Sequence, residues 1–559
     1  MSLRSLPVLD ASALPRVPAA PRLPDALPGR VAEFATDDLV QPRFHVWTLG
    51  CQMNQSYSEE MAGALLSAGC REAERLESAD LVVINTCSIR QAAEHKVIAR
   101  QGQLALLKRA NPGMRVVLTG CAVRADNAAT LGRRYPAVDL FLRPDEEPEL
   151  VDRLGLVSPT APGALTGGGL AADASFTRVG RGVSATADRL PGTRAAAVVD
   201  GRVARGSRTH AWIPVIYGCD KTCTYCIVPF SRGPERSRPF DDVVAEARRL
   251  AEAGYQDVTL LGQNVNSYGH DLPVEPRFAD VRWSRRLGRR LDLDGRPDIA
   301  ALLRAIDGIR DADGRPAIPR LRFITSHPWD LSERLVATIA ECPSVCEHLH
   351  LPVQSGADEV LRRMGRQYTV ASYLELVGRL RAAVPGIVLT TDVIVGFCGE
   401  TEAQFQATLE LLRAVRFDQV FAAAYSPRPG TPASRLADDV PAAEKRRRLN
   451  LLLGLQEEIG WERNRAWVGR TTEVLLDQLR PARSHDHGDA PADLATAALA
   501  RLSGRNRENK LVHVDGPPEL VGRRVLVRIG HAGPYALTGS LVDAGARATP
   551  ASDTLARTG

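Results

Sequence analysis

No run of apolar residues in this chain is long enough to span a bilayer. The first stretch, Met1 to Arg43, is rich in Pro, Ala and Arg but lacks the compact apolar segment of a secretory signal. Residues 1–43 therefore read as a disordered tail of a cytoplasmic protein. Charge of one sign is lacking too: 71 Lys and Arg face 66 Asp and Glu, a net of +5. That balance permits an acidic partner such as RNA without demanding one. Ten cysteines are present, and a reducing cytosol argues against a framework of structural disulfides. Metal binding, catalysis or core packing must account for them. At 559 residues the chain exceeds one ordinary core, so roughly two to four domains are expected.

From Phe44 the pattern changes. The apolar runs Phe44 to Leu49, Leu81 to Ile84 and Val116 to Leu118 alternate with helical periodicity, including a helix over Ala92 to Lys108. That rhythm predicts a small parallel-sheet α/β domain over 44–153. Cys51, Cys87 and Cys121 each follow one of these strands. In a parallel sheet such positions share one edge, where open α/β folds bind ligands, so three thiols distant in sequence converge. Residues 154–208 carry no amphipathic period and read as a linker or insertion.

A second β/α series runs over 209–465, interrupted by an Arg-rich surface insertion near 271–298. Its strands are expected at Ile213 to Tyr217, Val258 to Leu261, Leu321 to Ile324, His348 to Leu351, Val388 to Val395 and Val420 to Ala424. Such repetition predicts a full or partial (β/α) barrel. Over 466–543 short strands appear at Thr472 to Leu476, Lys510 to Val514, Arg524 to Ile529 and Leu537 to Val542. They suggest a small β-barrel, with a loop over Asp486 to Ala498 and a disordered tail over 544–559.

The sharpest local signal is Gly218-Cys219-Asp220-Lys221-Thr222-Cys223-Thr224-Tyr225-Cys226, a C-x3-C-x2-C loop after a strand. Three thiolates on one loop hold three irons of a 4Fe–4S cluster and leave the fourth iron open to a small molecule. Zinc is the rival metal. It wants four ligands, and the nearby His210 would sit at the wrong end of its strand. Unligated core cysteines are the third reading.

The loop resembles that of the radical S-adenosylmethionine superfamily. Thr48-Leu49-Gly50-Cys51-Gln52-Met53-Asn54, Asn85-Thr86-Cys87-Ser88-Ile89-Arg90 and Thr119-Gly120-Cys121-Ala122 are similar to its methylthiotransferases. Leu260 to Gly269, His350 to Gly356 and Tyr425 to Pro432 resemble the MiaB type, the tRNA 2-methylthio-N6-isopentenyladenosine synthases. Gly504 to Asn509 is similar to part of a TRAM domain, a small RNA-binding β-barrel. The resemblance runs from Phe44 to about Val542. It implies three domains: a methylthiotransferase α/β domain, a radical S-adenosylmethionine partial barrel and a TRAM barrel.

It implies two 4Fe–4S clusters, one on Cys219, Cys223 and Cys226 and an auxiliary one on Cys51, Cys87 and Cys121. One S-adenosylmethionine would donate a methyl group and a second would supply the radical that removes hydrogen from carbon 2 of a prenylated adenosine beside the anticodon. The methylthio group then joins that carbon, its sulfur delivered at the auxiliary cluster. An external electron donor such as flavodoxin or ferredoxin, and a sulfur or cluster-repair donor, are implied; no membrane is.

Tyr225, Gln263, Asn264, Gln354 and Ser355 lie where cofactor would be met; for the last four the rival role is bracing of loop backbone. Arg505, Arg507 and Lys510 are candidate phosphate contacts. Arg232 and the run Arg236 to Arg238 suit cofactor carboxylate, RNA phosphate or a solvated face, and Arg446 to Arg448 reads as helix surface. Cys70, Cys342 and Cys346 match no ligand position and read as core or surface thiols; Cys398 stands where a proline is expected. Rival substrates are threonylcarbamoyl-adenosine in tRNA and an aspartate of a ribosomal protein. A non-enzymatic iron–sulfur protein is the rival class, though electron carriers usually close their cluster with four thiolates.

Overall fold

The computed structural model describes residues 41–88, 91–124, 127–156, 197–199, 203–281, 294–480 and 500–542. The expected terminal tails, most of the linker, the middle of the insertion and the Asp486–Ala498 loop lie outside them. Among the described residues no helix is long and apolar enough to cross a membrane.

The N-terminal unit is a five-stranded parallel sheet in the order β2 (Arg71–Glu72), β1 (Arg43–Leu49), β3 (Leu81–Thr86), β4 (Arg115–Thr119), β5 (Leu140–Phe141). All of β3 is buried, which is why its sequence runs apolar without alternation. The helix expected over Ala92 to Lys108 is two helices, Gln91–Ala99 and Gln101–Ala110. They break at Arg100, whose guanidinium lies 4.4 Å over the Trp47 ring. Helix α1 (Gln52–Ser67) buries residues all round its first turns, from Met53 to Glu59, because it is sandwiched between its own sheet and the next domain.

The stretch read as a linker ends in a hairpin, β6 (Ala197–Val199) and β7 (Val203–Arg205). Arg205 anchors it by donating to Glu246 at 2.7 Å and to the Trp212 carbonyl at 2.8 Å. Such short strands carry too few residues for a period to show.

Six parallel strands form the central domain in sequence order: β8 (His210–Pro214), β11 (Asp257–Leu261), β12 (Arg320–Ile324), β13 (His348–His350), β14 (Val388–Val395) and β15 (Gln419–Ala424). A bridge from Leu321 to Val345 joins the two halves. The result is a partial (β/α) barrel. The first strand starts earlier than expected and stops at Pro214, which has no N–H for the ladder; Ile216–Tyr217 (β9) turns to pair with Arg236–Ser237 (β10). The insertion is pinned where it leaves the barrel: Phe278 is buried against Phe240, and Arg277 forks onto Asp241 at 2.8 Å. In the run Arg446 to Arg448, Arg448 turns inward to Glu400 at 2.8 Å rather than lying on the helix surface.

The C-terminal strands close into a barrel in the order β16 (Thr471–Arg480), β17 (Ala500–Asn506), β18 (Leu511–Gly516), β20 (Leu537–Leu541), β19 (Arg524–Ala532). Sequence patterning missed β17, because buried Ser503 and Gly504 interrupt any apolar alternation. This barrel caps the N-terminal ends of the central strands. Arg320, 1% exposed, donates to the Arg505 carbonyl and to Glu473. Arg322 donates to the carbonyls of Asn506 and Arg507 and pairs with buried Asp257 at 3.0 Å.

This docking gives two of the expected phosphate contacts partners within the protein. Arg507 forks onto Glu347 at 2.9 Å and donates to the carbonyls of Pro319, Pro343 and Val345. Lys510 is buried and donates to Asp418 at 2.7 Å and Asn464 at 2.8 Å. Both cations are paired with carboxylates inside the protein. Arg505 keeps an exposed side chain, although one of its Nη groups donates to the Asn509 carbonyl.

Replacing Arg322 by Met strands the Asp257 carboxylate, which Arg322 holds below the usual carboxylate range against the opposing effect of burial. The expected loss is about 3–5 kcal/mol, with protease cleavage between the two barrels in limited digestion. An unchanged denaturant midpoint would contradict the capping role.

Candidate iron–sulfur active site

Strands β1, β3 and β4 end level, since Leu49 pairs with Thr86 and Asn85 with Thr119. Cys51, Cys87 and Cys121 leave that edge side by side. Cys51 occupies the N-cap position of α1. The Cys87 amide donates to the Leu49 carbonyl at 2.8 Å. Cys121 follows Gly120, which has a φ of +91° and whose absent Cβ would lie 2.3 Å from the Thr86 carbonyl; only glycine makes that turn.

A buried polar net fixes the three loops. Asn54 donates to Asn85 at 2.6 Å, Asn85 donates back to the Asn54 carbonyl and to Ser58, and Ser88 donates to the Cys121 carbonyl. The sequence signal for it was faint: Asn85 is a polar residue ending an apolar strand.

The barrel loop is pinned equally well. Gly218, at φ +73°, passes so close to Pro234 that a Cβ would lie 2.0 Å from its carbonyl. The Cys219 amide donates to the Gly233 carbonyl and the Thr224 amide to that of Met364. Lys221 pairs with Asp330 at 2.7 Å. Burial pushes the Cys219 thiol well up, with the Glu235 carboxylate adding to it. Burial, then Cys223, raises Cys226 to about 12. Thiols in this setting become thiolates when a metal supplies the opposing charge.

Among the described residues, one set of three His, Cys or carboxylate side chains brings its ligand atoms within 4.8 Å of one another: Asp220, Glu235 and His270. It contains no cysteine, so neither triad gathers the compact fourfold set that zinc requires. Three thiols on one loop with an open fourth position match a 4Fe–4S cluster instead. Cys70, Cys342, Cys346 and Cys398 are all buried and belong to the core.

The remaining candidates divide. The Tyr225 hydroxyl accepts from Arg366 at 2.6 Å, and its ring packs edge-on to Phe397. Gln263 sits half-buried past the end of β11. Asn264 is occupied with loop bracing: it donates to Asp330 at 2.6 Å and to Ser267, and accepts from the His327 amide. Gln354 is buried in the left-handed region at φ 74°, its backbone bridging to β14. Ser355 lies within 3.4 Å of the Thr408 hydroxyl, on the helical layer of the barrel. Asn264 and Ser355 are thus engaged within the protein.

The two triads meet. Met53 and Tyr57 of α1 pack on Leu261, Trp212, Tyr217 and Ile324 at the C-terminal mouth of the barrel. Tyr57 stacks with Tyr217 at 6.1 Å. Arg232, six residues beyond Cys226, donates through Nε to the Cys121 sulfur at 3.2 Å. Arg124 reaches the Pro429 carbonyl from the other side.

Substituting Asn264 by Ala is expected to cost about 1–3 kcal/mol of stability, and Ser355→Ala to leave S-adenosylmethionine affinity within about twofold. Thermal unfolding and equilibrium dialysis on the reconstituted protein check both. A large loss of cofactor affinity in the Ser355 variant would return that residue to the binding site.

The Radical SAM superfamily model matches residues 213–412, and that of the uncharacterized protein family UPF0004 matches 43–143. The tRNA-2-methylthio-N(6)-dimethylallyladenosine synthase of Geobacillus kaustophilus is 38% identical over 502 residues, covering 90% of this chain and 82% of the relative. The enzyme of the same name from Moorella thermoacetica is 39% identical, covering 89% of this chain and 98% of the relative. A solved radical S-adenosylmethionine methyltransferase from Kitasatospora setae aligns over 71% of this chain and 77% of its own, with 16% identity and a TM-score of 0.46. The chain uses S-adenosylmethionine and 4Fe–4S clusters, as its superfamily does. It belongs to the tRNA-2-methylthio-N(6)-dimethylallyladenosine synthase family of radical S-adenosylmethionine enzymes.

Proposed function

We propose that this chain places a methylthio group on carbon 2 of N6-isopentenyladenosine beside the anticodon of tRNA, using two S-adenosylmethionine molecules. The observation that carries the reading is the meeting of two three-cysteine sites across one closed interface. Cys219, Cys223 and Cys226 hold one cluster, and Cys51, Cys87 and Cys121 the auxiliary one. When bound, these groups supply the electron that cleaves S-adenosylmethionine to a carbon radical and the sulfur that the product gains.

The chain's own residues do the rest. Met53 and Tyr57 with Leu261 and Trp212 form an apolar seal beside the barrel mouth, which keeps water from a radical that would otherwise be quenched. Arg366 fixes the Tyr225 hydroxyl and so holds the ring between Cys223 and Cys226 in one rotamer. Gln263 and Gln354 flank the same mouth and orient cofactor or base. Exposed Arg505 serves tRNA phosphate.

The substrate in the relatives' name favours prenylated tRNA over the threonylcarbamoyl and ribosomal-protein alternatives. The open iron needs an external one-electron donor such as flavodoxin or ferredoxin, and the consumed sulfur needs a donor to restore it. The cytoplasm, where tRNA is processed, is the place of reaction.

Anaerobic reconstitution should load about eight irons on the native chain and about four on either triple Cys→Ala variant. The Cys51/Cys87/Cys121 variant should still cleave S-adenosylmethionine but form no methylthio product; the Cys219/Cys223/Cys226 variant should do neither. In cells lacking the gene, mass spectrometry of tRNA nucleosides should show isopentenyladenosine accumulating without its methylthio derivative. An unchanged nucleoside pattern would overturn the substrate assignment.

A further inference from the structure

Arg232, just beyond the barrel's cysteine loop, reaches a cysteine of the other triad. It is 6% exposed. Its Nε donates to the Cys121 sulfur at 3.2 Å, and its guanidinium lies 4.7 Å over the Tyr57 ring. Both Nη groups are buried and reach no hydrogen-bond acceptor. A buried guanidinium with unmade bonds is destabilising, so the fold keeps it for an acceptor that binds there.

The surroundings identify that acceptor. Glu147 accepts from the Thr119 hydroxyl at 2.7 Å through Oε1, and its buried Oε2 makes no hydrogen bond to Arg232. The planar fork lies beside the Cys121 sulfur, so sulfur gathered at that triad is an acceptor within its reach. The cation–π contact with Tyr57 holds the fork in that plane. Tyr57 itself is stacked on Tyr217 of the barrel, so the arrangement exists only when the two domains are docked.

We propose that Arg232 is a positioning residue of the auxiliary site, its two free Nη groups donating hydrogen bonds to sulfur of the cluster held by Cys51, Cys87 and Cys121. The inference rests on the two-cluster reading above. Three thiolates on a 4Fe–4S core leave net negative charge, and one-electron reduction adds another. Hydrogen bonds and a fixed cation stabilise the reduced form and raise its potential. Because the residue is rooted in the barrel loop, the auxiliary cluster is tuned only in the docked state.

The test uses full-length protein with Cys219, Cys223 and Cys226 changed to Ala, so that any cluster signal comes from the auxiliary site. Iron analysis first shows whether that site loads; an empty site overturns the two-cluster reading, and the inference with it. With the cluster present, arginine is labelled with ¹⁵N in the guanidinium and the reduced cluster is examined by pulsed EPR. A ¹⁵N coupling that disappears in Arg232→Lys is expected. No coupling, or one that survives in the Lys variant, overturns the proposal while leaving the cluster assignment standing. An EPR-monitored redox titration adds a second readout. Arg232→Gln should lower the reduced-to-oxidised ratio at a given potential at least tenfold, a shift of about 59 mV for a one-electron couple. A loaded Arg232→Gln protein with native potential also overturns it.

Discussion

Thiols buried at an interface are tolerable only as neutral groups or as thiolates opposed by positive charge. Of the six cysteines that meet here, Cys87, Cys121 and Cys219 are buried and the others half-buried. Burial pushes Cys219 and Cys226 strongly toward the protonated form. The architecture around them follows from the need for cations. Lys221 and Arg366 attend the barrel loop, and Arg232 attends the sheet edge. Iron supplies the remainder. The same constraint explains α1, which is buried on both sides: it carries Cys51 at its start and closes the barrel mouth with Met53 and Tyr57.

The opposite end of the barrel solves a different problem. A partial barrel leaves the bottoms of its strands open, and here these ends carry Arg320, Arg322, Asp257 and His348. The C-terminal barrel covers them with the end of β17 and the turn after it, whose carbonyls accept from Arg320 and Arg322. Cations that look like an RNA footprint in sequence are thus the fastening between two domains. Chemistry and tethering sit at opposite ends of the same strands, so the β-barrel can carry RNA contacts without entering the site.

The parallel sheet, the barrel strands and the placing of the cysteines past strand ends were legible because each rests on a strong periodic or spacing signal. Continuous apolar runs gave β3 and β4, and the three cysteines follow strands that end level. What sequence could not resolve was the destination of individual polar side chains. Arg507 and Lys510 look like surface cations until Glu347 and Asp418, distant in sequence, are placed against them. Asn264 and Ser355 stand at strand ends on the chemical face, yet one braces Asp330 and the other faces Thr408. Strand β17 was hidden because its buried positions hold serine and glycine. Arg232 was visible as a basic residue beside the motif, but its partner lies 111 residues earlier in the chain.

Domain docking sets the two cluster sites against each other across one interface. Reduced protein carrying both clusters tests it most directly, through magnetic interaction between the two paramagnetic centres. The account predicts an EPR spectrum broadened by spin–spin coupling, with faster relaxation than in either triple Cys→Ala variant. A spectrum equal to the sum of the two single-cluster spectra would contradict it.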